Sequence, residues 1–219
     1  MVKNLFFDLD GTLTDPKEGI TKSVAYALES FGQKVNNLED LLVFIGPPLK
    51  WSFMEYAGLD EEQAEAAIAK YRERFKDVGI FENGVYEGIA GMLDNLKKAG
   101  FKLVLATSKP IVFADRILER YGLAEFFDAT FGSEFDGTRA DKAEVIAYAL
   151  KQTGAVPEET VMIGDRSHDV IGANKNNMKT IGVLFGYGDS KELLDAGACR
   201  LAKNVEELED ILTNINSGE

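Results

Sequence analysis

Asp8-Leu9-Asp10-Gly11-Thr12 sets two carboxylates two residues apart, directly behind an apolar run. At the carboxyl end of a buried strand, such a pair emerges where open parallel sheets bind ligands. Gly11 frees the backbone to turn sharply behind them. The same spacing occurs in calcium loops, but an EF-hand needs a Glu at its twelfth position, and counting from Asp8 that position is Gly19. A second acidic group, Gly164-Asp165-Arg166-Ser167-His168-Asp169, follows another apolar run. By itself it reads equally well as a surface loop with an N-capping Asp. Together, the four carboxylates Asp8, Asp10, Asp165 and Asp169 would repel one another without a cation among them, and oxygen ligands alone favour Mg²⁺ over zinc.

Two further signals carry the opposite polarity. Leu105-Ala106-Thr107-Ser108-Lys109-Pro110 presents two hydroxyls at a strand end, immediately before a helix start. Free N–H groups and the positive dipole end there make a phosphate seat, although Ser and Thr are also ordinary N-caps. Lys142 opens a helix where the dipole would favour an acid, an unfavourable placement unless the lysine serves an anion.

The elements that must hold these residues are legible as periodicity. Apolar runs at 3–7, 101–106, 161–163 and 180–184 are bounded by Gly, Asp or Thr and separated by helical patterns. That alternation predicts an α/β fold, a Rossmann-like parallel sheet with crossover helices. Ile89, Met92, Leu93 and Leu96 predict a helix over about 86–99 that stops at Gly100. Pro110 is expected at a first helical position, with Ile117, Leu118 and Tyr121 following and Gly122 closing. Asp141 is expected to cap the helix of Val145, Ile146, Ala149 and Leu150, which ends at Gly154. Asn204 with Glu207 has capping-box spacing. Residues 16–80 carry helical periodicity (Ile20, Val24, Leu28, Phe31; Ala64, Ile68, Tyr71, Phe75) and a rigid Gly46-Pro47-Pro48 loop, with no convincing strand. The expected organisation is an α/β core of 1–15 and 81–219, interrupted by an all-helical insert at 16–80.

Composition narrows the chemistry. The 219 residues carry 24 Lys and Arg against 37 Asp and Glu, a net charge of −13, with one His and one Cys. A chain of this length buries about 70% of its unfolded surface. One Cys excludes an intramolecular disulfide and a CxxC motif, and one His excludes a two-histidine metal site. A Cys-nucleophile phosphatase would want Arg six residues beyond its Cys, where Val205 stands. The negative charge disfavours nucleic acid polymers and anionic bilayers. No apolar run approaches a membrane span, and the apolar start is broken by Asp8 and Asp10, so no signal peptide is read and a cytoplasmic location is expected. Oligomeric state is not readable.

Taken together, Asp8–Thr12, Thr107, Lys142 and Gly164–Asp169 resemble the four ordered motifs of the haloacid dehalogenase superfamily, across nearly the whole chain. The helical insert is similar to that superfamily's C1 cap, and the chain most resembles the phosphoglycolate phosphatase/5′-nucleotidase-like branch. The resemblance implies a Mg²⁺-dependent phosphatase acting on a small phosphate ester. Asp8 would be the nucleophile that forms an aspartyl-phosphate. Asp10 would protonate the leaving oxygen and then deprotonate the attacking water. Mg²⁺ would be held by the Asp8 carboxylate, the Asp10 main-chain carbonyl and Asp165, with Asp169 positioning a coordinated water. Thr107, the Ser108 amide and Lys142 would bind the phosphoryl oxygens. Phosphoglycolate or a nucleoside 5′-monophosphate is the expected substrate, with pyrophosphate and phosphotyrosine as further candidates.

Neighbouring chemistries leave their own marks. Dehalogenases of this superfamily lack an acid at the second motif position and phosphonate hydrolases commonly carry Ala there, so Asp10 argues for a phosphate ester. Lys50, behind Gly46-Pro47-Pro48-Leu49, stands near where the phosphonate hydrolases carry a Schiff-base lysine; a solvated lysine is the plainer reading. Sugar phosphomutases show a His shortly after the first motif, and Asp15-Pro16-Lys17-Glu18-Gly19 has none. A non-enzymatic receiver-like module would also use a phospho-Asp, a hydroxyl and a Lys, but Asp10 promotes hydrolysis and a cap shields a small substrate from water. His168 falls at a variable position within its motif. Cys199 reads as a small buried or semi-exposed residue before the last strand. Trp51, Phe53 and Tyr56 read as packing within the insert rather than a base-stacking platform.

Overall fold

Leu5, Phe6 and Phe7 are fully buried, and this places their strand inside a sheet with neighbours on both sides. The computed structural model describes residues 1–217. Its strands are β1 (Asn4–Phe7), β2 (Thr14–Asp15), β3 (Gly84–Val85), β4 (Lys102–Pro110), β5 (Ala129–Ser133), β6 (Thr160–Gly164), β7 (Lys179–Val183) and β8 (Arg200–Ala202). Its α-helices are α1 (Lys17–Glu29), α2 (Leu49–Ala57), α3 (Glu61–Phe75), α4 (Ile89–Lys98), α5 (Ile111–Arg120), α6 (Lys142–Thr153), α7 (Ser167–Lys175), α8 (Ser190–Ala196) and α9 (Val205–Thr213). The chain divides into two compact units, one of 1–14 with the chain from Val85 onward and one of Asp15–Gly84.

In the first unit, six strands form a parallel sheet in the order β5-β4-β1-β6-β7-β8. Parallel strands need crossover connections, and α4 to α9 supply the helical layers that cover them. Phe6, Val104, Ala106 and Met162 from the central strands pack with Val145, Ile146 and Ala149 of α6 and Ala173 of α7 in one apolar cluster. This is the α/β fold with a Rossmann-like parallel sheet that the alternation of patterns predicts.

Four of these strands match the apolar runs. β5 does not, because it is an edge strand whose first three residues are only half-buried, so Ala129-Thr130-Phe131 needs no continuous apolar pattern. Asp141 caps α6, its carboxylate accepting from the Ala143 N–H at 2.7 Å, and Gly154 ends the helix in the left-handed region. Asn204 Oδ1 accepts from the Glu207 N–H at 2.8 Å, but the Glu207 carboxylate accepts from Lys203 rather than Asn204, so the box is not reciprocal. Pro110 is not the first helical residue: with ψ 127° it ends β4 paired to Ser133, and α5 starts one residue later. Likewise α4 begins at Ile89 rather than about 86, after Gly88 in the left-handed conformation.

The second unit contains α1, α2 and α3 with short 3₁₀ turns at Leu38–Phe44 and Gly79–Phe81. Of the periodic positions, Ile20, Val24, Leu28, Ala64, Ile68, Tyr71 and Phe75 are buried, whereas Phe31 lies just past the end of α1 and is half-buried. The unit ends at Gly84 rather than 80, where β3 pairs with β2 to form a separate two-stranded sheet. Among the described residues, no helix is long and apolar enough to cross a membrane.

Candidate active site

Register builds the site. Phe7 lies beside Leu105 on one side and Ile163 on the other, so the next residues of three parallel strands leave the same end of the sheet together. These are Asp8, Ala106-Thr107 and Gly164-Asp165. The Asp8 N–H still donates to Ile163 O at 2.9 Å, which fixes its backbone to the ladder. Beyond it the chain turns tightly, with the Leu13 and Thr14 N–H groups both donating to Leu9 O. Gly11 makes the turn at φ +82°, and a Cβ there would sit 2.2 Å from Asp165 Oδ2.

Asp8, Asp165 and Asp169 are all but fully buried, and each offers a carboxylate oxygen within 4.8 Å of the others. Burial pushes the Asp165 carboxyl well above its ordinary range, and the like charges of Asp169 and Asp8 push it further. Burial likewise raises Asp169 to about 6, with Asp8 adding to the effect and Lys142 opposing it. Asp165 accepts hydrogen bonds from the Tyr187 N–H at 2.8 Å and the Thr12 hydroxyl at 3.4 Å. Asp169 accepts from the Arg166 N–H at 3.1 Å. These oxygens crowd together more closely than three anions tolerate in a dry site, and a hard divalent cation suits such a donor set.

Lys142 supplies the compensating charge within the protein. Its Nζ lies 2.8 Å from Asp8 Oδ1 and 2.7 Å from Asp169 Oδ1, and it donates to Ala106 O at 3.1 Å. Burial works against the ammonium, but Asp169 and Asp8 overcome it and hold Lys142 above its ordinary range. The lysine at a helix start is thus explained by the carboxylates it meets.

The Thr107 hydroxyl is buried and accepts from the Lys109 N–H at 3.2 Å. Ser108 is half-buried, and its carbonyl accepts from the Ser133 hydroxyl at 2.8 Å. Asp10 is buried and is not one of the three converging carboxylates; its Oδ2 accepts from Lys109 Nζ at 2.5 Å. Burial raises the Asp10 carboxyl, and Lys109 opposes the rise.

The structure therefore brings together Asp8, Asp10, Thr107, Ser108, Lys142, Asp165 and Asp169. It also recruits residues to which the sequence reading gave no role: Lys109, Thr12 and the Gly186-Tyr187-Gly188 turn. A Cβ at Gly186 would fall 2.3 Å from Gly11 O and 2.4 Å from Asp165 Cβ, so this turn lies directly over Asp165. The available signals were a lysine between two hydroxyls and a proline at a strand end, and a G-x-G just beyond the fourth apolar run.

Other singled-out residues have different settings. Lys50, in the helical unit, has its ammonium between Glu61 at 2.7 Å and Glu65 at 2.9 Å. Hydrogen bonds to Glu61 and then Glu65 raise its pKa, the reverse of what an amine nucleophile needs. Phe53 is fully buried, while Trp51 and Tyr56 are exposed and meet edge to face at 5.2 Å. His168 is half-buried, and burial followed by the charges of Arg166 and Lys142 lowers its pKa. Cys199, immediately before β8, is exposed rather than sheltered.

The family model described as haloacid dehalogenase-like hydrolase matches residues 5–183, a span containing the four carboxylates, Thr107 and Lys142. A 5′-nucleotidase of Pseudomonas aeruginosa is 48% identical over 190 residues, covering 87% of this chain and 86% of that protein. Tyrosine-protein kinase PtkA of Mycobacterium tuberculosis is 38% identical over 211 residues, 95% of this chain and 72% of its own length. A crystal structure described as a predicted phosphatase from Clostridium acetobutylicum superposes with a TM-score of 0.94 at 52% identity, covering 96% of this chain and 98% of that one. The family model over most of the chain, the 5′-nucleotidase relative and the solved structure described as a predicted phosphatase thus agree with the chemistry of the carboxylate cluster, and the chain belongs to the haloacid dehalogenase-like hydrolases as a phosphatase.

Proposed function

We propose that the protein hydrolyses small phosphomonoesters through an aspartyl-phosphate on Asp8, with nucleoside 5′-monophosphates as the first substrate class and phosphoglycolate as the second. The observation that carries the reading is Lys142 Nζ lodged between the buried carboxylates of Asp8 and Asp169 at the sheet's carboxyl end. The preference for nucleotides rests on the 48% identity to a 5′-nucleotidase.

An Asp8 oxygen attacks phosphorus while Asp10 gives its proton to the departing alkoxide, so the P–O bond to the alcohol breaks as the P–O bond to Asp8 forms. Water then attacks phosphorus, Asp10 takes its proton, and the bond to Asp8 breaks to release phosphate. Thr107, the Ser108 amide and Lys142 hold the phosphoryl oxygens throughout. Asp8, Asp165 and Asp169, with the Asp10 carbonyl, would hold Mg²⁺, which supplies positive charge to offset that of the phosphoryl group. The helical unit, which the chain enters at Asp15 and leaves at Gly84, would be the C1 cap that the family resemblance implies.

The test is phosphate release from p-nitrophenyl phosphate and a panel of small phosphates, with and without Mg²⁺. Turnover is expected only with the ion, is lost in Asp8→Asn, and is highest on nucleoside 5′-monophosphates. Wild-type turnover in Asp8→Asn would overturn the mechanism. A phosphorylated protein without turnover would point instead to a signalling module.

A further inference from the structure

Lys109 is a buried lysine, 8% exposed, whose ammonium donates to Asp10 from a neighbouring strand end. Its placement is built by a break in the sheet. β4 and β5 pair regularly to Ala106 and Phe131, then shift register, so that four residues of β4 advance against two of β5 before Pro110 meets Ser133. Such an irregularity re-aims side chains next to a site. Here it carries Thr107, Ser108 and Lys109. The distortion is held from three directions: the Lys109 N–H donates to Thr107 Oγ1, the Ser133 hydroxyl donates to Ser108 O, and Gly132 lets β5 approach closely. A Cβ at Gly132 would stand 2.5 Å from Lys109 O.

The two oxygens of Asp10 are consequently unlike. Oδ2 accepts from Lys109 at 2.5 Å, whereas Oδ1 is buried and takes no hydrogen bond among the described residues. A carboxylate shuttling one proton between a leaving alkoxide and a water needs one oxygen turned to the reacting atoms and a fixed orientation for the other.

We propose that Lys109 is a positioning residue that fastens Asp10 Oδ2 and thereby presents Oδ1 as the oxygen that gives the proton to the leaving group and later takes it from water. This rests on the acid–base reading of Asp10 given above. In the first step the proton leaves Oδ1 for the ester oxygen as its bond to phosphorus breaks; in the second a water proton arrives at Oδ1 as the P–O bond to Asp8 breaks. Lys109 changes neither its own protonation nor its bonds.

The experiment compares kcat/KM for phenyl phosphate and 2,4-dinitrophenyl phosphate in the wild type, Lys109→Met and Asp10→Asn, with Mg²⁺ present. This ratio reports the steps through departure of the leaving group. Phenoxide needs a proton to leave and dinitrophenoxide does not, so Lys109→Met should lose about tenfold or more on phenyl phosphate and under about threefold on the dinitrophenyl ester. Asp10→Asn should show the same selectivity to a greater degree. Equal losses on both esters in a folded Lys109→Met protein would overturn the proposal, because a merely structural role lowers both alike. If Asp10→Asn is selective and Lys109→Met is not, Lys109 alone is excluded; if Asp10→Asn is not selective, the acid–base reading falls and the proposal with it. Should Lys109→Met not fold, Lys109→Gln, whose amide still donates to Oδ2, is read by the same criterion, and an intermediate selectivity supports the assignment.

Discussion

Gly11 and Asp165 are packed so closely that no side chain fits between them: a Cβ on Gly11 would lie 2.2 Å from Asp165 Oδ2. The turn after the first acidic pair and the carboxylate of the second motif, over 150 residues apart in the chain, therefore form one piece. Gly11→Ala must both adopt φ +82° and push Asp165 aside. The expected outcome is a stability loss of about 1–3 kcal/mol by chemical denaturation. Mg²⁺ affinity should fall about tenfold or more, measured by calorimetric titration.

Lys142 neutralises Asp8 and Asp169 in a site with little access to water. Lys142→Met leaves buried carboxylates without a partner. Loss of about 3–5 kcal/mol is expected in the metal-free protein. Turnover should fall about 10²–10³-fold, since in the proposed mechanism a donor to the phosphoryl oxygens goes with it. Stability by urea titration and phosphate release check the two effects separately.

Asp8, Asp165 and Asp169 repel one another, and their release from that repulsion should be visible as ligand-linked stability. Mg²⁺ at about 100 times its dissociation constant is expected to stabilise the protein by about 2.7 kcal/mol, and a chelator to reverse this. Asp165→Asn should remove the Mg²⁺-dependent rise in melting temperature. A rise of wild-type size in that variant would exclude Asp165 as a ligand.

Within the helical unit, Glu82 accepts from Arg74 Nη1 at 2.7 Å and Nη2 at 2.9 Å, with Lys22 Nζ at 3.3 Å. The hydrogen bonds to Arg74 hold its carboxyl below the ordinary 4.5, against burial. A depressed folded pKa means the unfolded chain takes up the proton first as pH falls. The contribution, about 1 kcal/mol, is therefore complete above pH 4.5 and lost as the pH drops through the folded value. Glu82→Gln should flatten this part of the stability–pH curve, with little change at neutral pH beyond the lost ion pair.

Lys50 is expected to be silent as a nucleophile. Its ammonium, tied to Glu61 and Glu65, stays charged at neutral pH, and exposed pairs of this kind add little to stability. Borohydride with phosphonoacetaldehyde should leave no adduct at Lys50 by peptide mass mapping, and Lys50→Ala should melt close to the wild type.

How far the sequence reached depends on what each feature needs. The two acidic motifs, the hydroxyls before Pro110 and the helix-opening Lys142 could be read because local pattern alone puts each at a strand end or helix start. The parallel sheet was legible for the same reason, since fully buried strands such as Leu5-Phe6-Phe7 must be apolar at every position. β5 was not, because an edge strand with half-buried residues imposes no such demand.

What sequence could not supply is the partner of each charge. Lys109 is one unremarked lysine in the chain until the register shift between β4 and β5 turns it onto Asp10. The Gly186-Tyr187-Gly188 turn has no visible purpose until it closes over Asp165. Local periodicity fixes which residues stand at the ends of elements, because it depends on neighbours in the chain. Which oxygen of Asp10 is held, and which carboxylates share Lys142, depends on distances of a few ångströms between segments far apart in sequence, and only the packing of the sheet sets those.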